Sequence, residues 1–597
     1  MTKNLKVLAT LALTLAVSAG YAQNPAGSTD APRKTVHHRK TVEKGPSVQS
    51  QIEELRQQEQ MDRGQIDTLK QQLSDRDAQL QQAQQAAQAA QQAAEAAQKA
   101  ANDEQQTLST NSQAVSSLQS SVSDLKASSS SFQANIQKQT DEVKKTVENN
   151  DGVHYHGILI SPHGSFVAAE TVWRQGATGG GLNTPFTGVP LDNSPAGQIS
   201  EFYGSGRQSR IAIKASGKDG DLTMTGYYEA DWLSSGTTSN NNQSNSYTMR
   251  QRQIWGQAAL DSGWKFTGGQ MWSLTTETSS LLDNGSEILP SSIDPQYMAG
   301  FVWNRQYGFR ASKEFGKKFA FGASAENDQM LVGGSSLPTN ELIGANGTGG
   351  GLYDNQATYS FNLAPEMVAK IAIQPGWGHW EVFGVGRFFH DRVYPTGASP
   401  YNDSTVGGGI GAGFRAPLGT KNLTIGLKGL YGDGTGRMGS STIGDATLQP
   451  DGQLSLLHTF SSISTVEANL GKRLMIYLNY GGDYVGRDYF GTKGEGYGSP
   501  YVTMTGCNTE SVPSGPNASS APIAPSNCSG NTKDVQEFSA GDWYNLYNGP
   551  KGRLRFGLQY ARFERDLWSG VGGTTNPGGG AKGVDNMFWT SFRYYVP

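Results

Sequence analysis

Long apolar segments are scarce in this chain of 597 residues. After the N-terminal region, no apolar run approaches the roughly 20 residues that a membrane-spanning helix needs. Hydrophobic residues make up only 36% of the chain, whereas a soluble protein of this length usually contains several apolar cores. Glycine and aromatic residues are abundant instead, with 76 Gly, 24 Tyr, 22 Phe and 11 Trp. This combination is typical of the alternating strands of an outer-membrane β-barrel.

The chain also has a small net charge and few histidines. The formal charge is −4 and no basic face has the pattern of a recognition helix, so nucleic acid is not an expected partner. None of the eight histidines forms a strong Ser/His pair of the kind that a barrel hydrolase requires. We therefore expect a protein that is not an enzyme and that needs neither a metal nor a cofactor.

Cysteine is almost absent from the sequence. Cys507 and Cys528 are the only two, and they lie in one segment rich in Gly, Pro and Ser. Two lone thiols are a poor metal site, and an exported chain folds in a compartment where thiols oxidise. We therefore predict a disulfide, which stabilises a loop of this size by about 3 kcal/mol.

Residues 1–22 have the three parts of a secretory signal peptide. Lys3 and Lys6 supply the positive charge, residues 7–17 the short apolar core, and Gly20 and Ala22 the small residues of the cleavage site. No cysteine follows, so we expect no lipoprotein anchor. The mature chain is predicted to begin with a linker.

That linker, residues 23–46, is polar and contains a basic cluster, which comprises Arg33, Lys34, His37, His38, Arg39, Lys40 and Lys44. Such a composition is typical of a solvated, disordered spacer. The alternative interpretation is electrostatic binding to an anionic periplasmic polymer such as peptidoglycan. The neighbouring histidines lack the further ligands that a metal site needs.

A heptad repeat runs without interruption from residue 52 to residue 146, within a predicted domain of residues 47–148. This spacing predicts a left-handed coiled coil, about 140 Å long at 1.5 Å per residue. Its a positions include Ile52, Ile66 and Val143, and its d positions include Leu55 and Leu118. Such core residues favour dimers, and the unbroken register predicts that the segment oligomerises. A short extended connector, residues 149–164, follows.

Residues 165–597 are predicted to form the barrel. Seven short turns alternate with eight long, polar, Gly-rich connections, which predicts sixteen strands with both ends of the chain on the short-turn side of the barrel. The final strand, residues 586–597, has no later partner in sequence, so it must pair with a strand from much earlier and close the barrel. Bacterial outer-membrane barrels place short turns in the periplasm and long loops outside. The coiled coil is therefore expected in the periplasm.

Apolar and polar residues alternate along the predicted strands. In residues 222–232, for example, Leu222, Met224 and Tyr228 share one face, and Glu229 and Asp231 share the other. A charged interior is stable only if it is wet. Sixteen strands leave room for a water-filled channel, whereas eight would be filled by side chains.

Several stretches resemble the DcaP-like trimeric porins, a family associated with dicarboxylic acids. They are GRQSRIAI (206–213), YEADW (228–232), MRQRQIWGQ (249–257), GQMWS (269–273), ILPSSID (288–294), GDGTGR (432–437) and the strand at 554–565. The family also carries a periplasmic N-terminal coiled coil. The resemblance implies a homotrimer of sixteen-stranded barrels in the outer membrane. The chain departs from the family in its longer loop at 486–541 and in its Tyr-Tyr-Val-Pro end.

A porin selects solutes by pore width and charge, so basic residues that face the lumen are the candidate site. Strand alternation places seven of them inside: Arg210, Lys214, Arg310, Lys370, Arg387, Arg415 and Lys428. Four more belong to or adjoin the family-like motifs, although their strand parity is ambiguous: Arg207, Arg250, Arg252 and Arg305. The planar fork of arginine suits carboxylates.

Other interpretations of these charges and of the whole chain stay open. The basic residues could pair instead with acidic residues across neighbouring strands, namely Glu229, Asp231, Glu314, Glu326, Glu366 and Glu381. We expect modest anion preference, because arginines grouped at a constriction are screened less than dispersed carboxylates. The competing functions are a tether between the outer membrane and the cell wall, and an adhesin with a barrel anchor.

Overall fold

The structure, a computed structural model, describes residues 152–179, 181–182, 186–234, 247–294, 298–344, 360–510, 527–572 and 580–597, with scattered residues between 123 and 140. The chain divides into two compact units, Met1–Thr140 and Asp141–Pro597. In the first unit the described residues are helical and their side chains are exposed. The signal peptide, the linker and most of the coiled coil lie outside the described residues, so those domains stay predictions.

The second unit is built on sixteen antiparallel strands, numbered here in chain order. They are Phe166–Arg174 (β1), Glu201–Ser205 with Arg210–Asp219 (β2), Leu222–Ser234 (β3), Thr248–Leu260 (β4), Trp264–Trp272 (β5), Arg305–Phe315 (β6), Phe319–Glu326 (β7), Glu366–Ile373 (β8), His379–Val393 (β9), Tyr401–Pro417 (β10), Leu423–Asp433 (β11), His458–Leu470 (β12), Leu474–Val485 (β13), Thr532–Gly549 (β14), Gly552–Leu567 (β15) and Lys582–Tyr595 (β16). Five further short strands lie in the connections. Glu341–Leu342 pairs with the end of β9, Ala446–Leu448 pairs with Leu454–Leu456, and Asp488–Phe490 pairs with Glu495–Tyr497.

The last strand closes the barrel. β16 pairs with the whole length of β1, from Met587 opposite Arg174 to Tyr595 opposite Phe166. Beyond the ladder, the Val596 amide donates to the Ser165 carbonyl at 3.0 Å. No backbone edge is left between the two ends of the sheet, which confirms the predicted sixteen-stranded closure.

Outward and inward residues alternate as the sequence predicts. On β16, Phe588 and Phe592 point outward and are 54% and 45% exposed, whereas Trp589, Ser591 and Arg593 point inward and are buried. Apolar side chains therefore cover the outside, and polar and charged side chains line the inside.

All seven short turns lie at one end of the barrel, and the connector joins it there. The connector, which the sequence predicts as a short extended segment, forms a hairpin of Val153–Tyr155 and Ile158–Ser161. Its second strand pairs with β2, where Leu159 lies opposite Ser216. β1 pairs with the second segment of β2 only through Phe166 and Arg210. The hairpin thus supplies hydrogen bonds to backbone groups of β2 that β1 does not reach.

Cys507 and Cys528 are joined in a disulfide with a Cα–Cα distance of 4.7 Å. Cys507 is buried at the long-loop end, in an apolar cluster with Leu191, Met504 and Leu567. The bridge therefore anchors the connection between β13 and β14 against the connection between β1 and β2 and against the end of β15. Separately, among the described residues no helix is both long and apolar enough to cross a membrane.

Candidate functional site

The connection between β5 and β6 is called here the lumen loop, and its described residues, 273–294 and 298–304, cross the barrel interior. Near the start of the loop, the Lys370 ammonium on β8 donates to the Thr276 carbonyl at 2.7 Å. Farther along, the Ile293 amide donates to the Gln559 side chain on β15 at 2.7 Å. Since β8 and β15 are seven strands apart in a closed sheet of sixteen, the loop spans from one side of the barrel to the other.

Buried carboxylates hold the far side of the lumen loop against the wall. The amide of Ala299 donates to Glu537 on β14 at 2.8 Å, and that of Gly300 donates to Asp483 on β13 at 3.0 Å. Asp483 also accepts from the Ser441 amide at 3.1 Å, in the connection between β11 and β12. The path of the loop is therefore fixed by the strands behind it.

Beside the lumen loop, β2, β3 and β4 bring together three arginines and two acids. Asp231 accepts from Arg250 at 3.0 and 2.8 Å and from Arg252 at 2.8 Å. Glu229 accepts from Arg252 and lies 3.4 Å from Arg210. These pairs join residues of the sequence motifs at 206–213, 228–232 and 249–257. The resemblance thus maps onto one place in the barrel.

Arg305 on β6 is the fourth member of this group, called here the arginine cluster: Arg210, Arg250, Arg252 and Arg305. Its guanidinium lies over the rings of Trp272 and Trp303, at 5.0 and 5.3 Å from their centroids. Among the described residues it has no ion-pair partner, and its Nη1 atom has no hydrogen bond. Four guanidinium groups therefore face two carboxylates, which leaves a surplus of two positive charges in a narrow space where water screens weakly.

A cavity of about 180 Å³ opens between the arginine cluster and the lumen loop. Its walls include Arg210 and Arg252, with Leu289 and Asp294 contributed by the loop and Arg593 by β16. The Arg593 guanidinium does not add to this surplus, because it has its own acidic partner: it donates to Glu170 on β1 at 2.9 Å. Burial raises the pKa of Asp294 well above its ordinary value, which favours the neutral form of this carboxyl.

The parity of Arg250 and Arg252, which was ambiguous in the sequence, is explained by a β-bulge. The register between β3 and β4 shifts between Glu229 and Ala230, so both Arg252 and Gln253 are buried on the inner side. Beyond the bulge, Ile254 points outward and is 42% exposed. A bulge of this kind re-aims a side chain beside a functional site.

Three of the predicted pore-lining residues, Lys370, Arg387 and Lys428, face inward but are covered. Lys370 and Lys428 each lie 2.6 Å from Glu381. Arg387 contacts three carboxylates, at 2.6 Å to Asp328, 3.4 Å to Glu366 and 2.7 Å to Asp445. The three cations are at most 1% exposed. They form the ion pairs that were the alternative interpretation, and solute does not reach them here.

Loops explain why those three charges are covered. Leu274, Leu282 and Val302 of the lumen loop pack against β8, β9 and β11. The connections that follow β7 and β11 add a second cluster with Met330, Ala446 and Phe389. One side of the interior is therefore filled with protein, and the arginine cluster lies on the other side.

The remaining predicted residues hold loops or lie near the cluster. Arg415 donates to Glu277 of the lumen loop at 2.8 Å, and Arg310 donates to the side chain of Asn284 and to the Trp272 carbonyl. Lys214 is partly exposed on the inner face of β2. Arg207 donates to the Trp232 carbonyl at 3.1 Å and lies over the Tyr247 ring.

Sequence reasoning missed Arg553, Arg555 and Arg593 as site residues. All three point inward, and Arg555 shares the polar face of β15 with Gln559. The same alternation that selected the other candidates would have found them. It could not have found Arg437, which lies in a connection and reaches Glu366 at 2.6 Å.

Comparisons with known proteins find similar chains only among solved structures. No protein-family model matches the chain, and no curated protein matches it in sequence. Among solved structures, the outer membrane channel DcaP of Acinetobacter baumannii matches with a TM-score of 0.50 and 15% identity, over 74% of this chain and 99% of that chain. The anion-selective porin from Comamonas acidovorans matches at 0.37 and 11%, with the same coverage. Salmonella typhi OmpF matches at 0.38 and 9%, again over 74% and 99%. The likeness to the DcaP channel shows a shared barrel fold.

Proposed function

We propose that this chain is an outer-membrane porin through which small hydrophilic solutes diffuse passively, with a preference for anions that carry carboxylates. The observation that supports it most is the surplus of two positive charges in the arginine cluster, next to a loop that narrows a closed barrel. A solute that crosses must pass these guanidinium groups, because the other side of the interior is filled.

Arginine geometry supports carboxylates as the preferred group. A carboxylate can accept two parallel N–H bonds from one guanidinium fork, which a chloride ion cannot do. Arg305 is held by stacking on two tryptophans, so its free N–H edge stays oriented without an acid partner. Weak binding at such a site speeds passage only if the solute also leaves readily, as it does in a wet lumen.

Localisation and assembly follow from the same proposal. The signal peptide and the apolar outer wall support the outer membrane, with the short turns and the predicted coiled coil in the periplasm. The unbroken heptads and the resemblance to trimeric porins support a homotrimer, in contact with outer-membrane lipid. Binding of residues 23–46 to peptidoglycan is compatible with transport and would hold the barrel near the cell wall.

Conductance of the purified protein in planar bilayers tests the pore itself. We expect ohmic steps in potassium chloride, and brief interruptions when succinate is added at millimolar concentration. Bilayers that incorporate folded protein and yet show no steps would mean a plugged barrel, in which case the tether function would replace the porin function.

A further inference from the structure

A second pair of arginines lies in the lumen beside Arg593 and Tyr595, which line the far wall of the cavity next to the arginine cluster. Arg553 and Arg555 point inward from β15, just after the turn that ends at Gly552. Gln559, farther along the same strand, contacts the lumen loop through Ile293. Arg555 is four residues closer to the turn than Gln559, which corresponds to about 13 Å of strand. The pair therefore lies between the lumen loop and the short-turn end of the barrel.

Aromatic rings hold both guanidinium groups. The guanidinium carbon of Arg555 lies 3.7 Å from the centroid of Trp543, and that of Arg553 lies 4.5 Å from the centroid of Tyr595. Trp543 is itself fixed, because its indole N–H donates to the Ser291 carbonyl of the lumen loop at 2.9 Å. Stacking on a ring engages the face of a guanidinium and leaves its N–H edges available.

Acidic partners for the pair are missing from the part of the chain that the structure describes. Arg555 lies opposite Asn545 and Arg593 in the ladder, and Arg553 lies opposite Asn548 and Tyr595. Neither Arg553 nor Arg555 is within ion-pair distance of a carboxylate among the described residues, and the Nε atom of Arg555 is buried without a hydrogen-bond partner. Both residues are nevertheless partly exposed to the lumen. Oriented, unneutralised donors that solvent can reach are suited to bind an anion.

We propose that Arg553 and Arg555 form a second anion-binding site on the periplasmic side of the lumen loop, which binds the carboxylate of a solute as it enters from or leaves to the periplasm. This inference rests on the proposed porin function. Two neighbouring sites let an anion leave the first site for the second, so neither has to bind tightly for transport to be selective. The site would also attract carboxylates that approach from the periplasm.

Side-resolved blocking by succinate tests the proposal. Protein added to one side of a bilayer inserts with one orientation, and the rate of current interruptions then gives the association rate of succinate from each side separately. In the variant with Arg553→Gln and Arg555→Gln, we expect the association rate from the periplasmic side to fall about fivefold, as expected from lost electrostatic attraction, with the rate from the outer side unchanged.

Two further variants make the interpretation specific. Arg473→Gln is the matched control: it removes a charge at the same end, but Arg473 is an exposed residue beside the Tyr544 hydroxyl on the outer wall, so both rates should stay as in the wild type. Replacing the pair by lysines keeps the charge and removes the fork, so the periplasmic association rate should persist while each interruption becomes shorter. Heat-resistant migration of each variant on gels confirms that the barrel is folded.

The outcomes separate this site from the porin function. Equal association rates for the glutamine variant and the wild type, or an equal fall from both sides, would overturn the second site. If Arg250→Gln nevertheless lowers the association rates of succinate from both sides, the proposed porin function stands without the second site. An absence of succinate interruptions in the wild type would overturn both.

Discussion

The backbone amide of Gly300 donates a hydrogen bond of 3.0 Å to the carboxylate of Asp483, and this contact joins the lumen loop to the wall opposite its origin. Gly300 has a φ of 77°, and a Cβ atom placed there would lie 1.9 Å from the Ser462 carbonyl oxygen. Only glycine fits at this position, because an L-residue would be strained and would also clash with the backbone of β12.

Substituting Gly300 by alanine is therefore expected to detach the far half of the lumen loop. The strain alone amounts to roughly 1–3 kcal/mol, and displacement of the loop also breaks the contact with Asp483. We predict a larger and noisier single-channel conductance. Gly386→Ala is the matched control, since nothing lies within 4 Å of its added Cβ, and its conductance should equal that of the wild type. Unchanged conductance in Gly300→Ala would contradict the assignment of this loop as the constriction.

Arg387 and Arg305 should respond to the same substitution in opposite ways. Arg387→Gln leaves Asp328, Glu366 and Asp445 without their central cation in a buried site. Removal of one partner from a buried ion pair costs about 3–5 kcal/mol, so denaturant unfolding should shift strongly while ion selectivity changes little. Arg305→Gln removes a charge that has no ion-pair partner among the described residues, so selectivity should change and stability should change little. A large change in selectivity for Arg387→Gln, or a large loss of stability for Arg305→Gln, would contradict these assignments.

Glu287 should make selectivity depend on pH near neutrality. Burial raises the pKa of this lumen-loop carboxyl to about 7. Below that pH the group is protonated and neutral, and above it the group adds a negative charge near Arg310. We therefore predict that anion preference decreases as the pH rises from 6 to 8. Glu287→Gln should remove the change, and a pH dependence that persists in this variant would assign it to another group.

The disulfide should restrain the outer loops without changing the pore. Cys507 packs with Met504 and Leu567 at the long-loop end, away from the arginine cluster. Replacing both cysteines by serine removes about 3 kcal/mol of stabilisation from the closed loop. Amide hydrogen exchange of residues 499–510 should become faster, with conductance unchanged. Equal exchange rates with and without the bridge would show that packing alone fixes this loop.

Most of the barrel wall could be predicted from the sequence, because period-two alternation and short Gly-containing turns are local signals. The pairing of β16 with β1 followed from the need to close a barrel edge in lipid, and the seven turns all lie where the pattern indicated. The sequence did not predict the hairpin at Val153–Tyr155 and Ile158–Ser161. It depends on a tertiary contact, because it hydrogen-bonds to the backbone of β2 where β1 does not reach.

The site was harder to predict, because parity shows which way a side chain points and not what covers it. Lys370, Arg387 and Lys428 point inward as the pattern indicates, but inward-folding loops bury them. Arg250 and Arg252 share strand parity with Ile254, which indicated either a bulge or a position above the lipid band, and the sequence alone could not decide between them. The lumen loop brings Asp294 and Leu289 to the cluster across many residues, and that placement depends on tertiary contacts alone.

The reversal potential in a potassium chloride gradient tests the central claim most directly, since it measures the sign of the charge that permeating ions meet at the constriction. The surplus of positive charge in the arginine cluster predicts preference for chloride in the wild type. Arg250→Gln combined with Arg305→Gln should move the reversal potential towards cations. Lys218→Gln, which changes an exposed residue near the end of β2 that pairs with Asp261, should not. Clear cation selectivity of the wild-type protein would contradict the account.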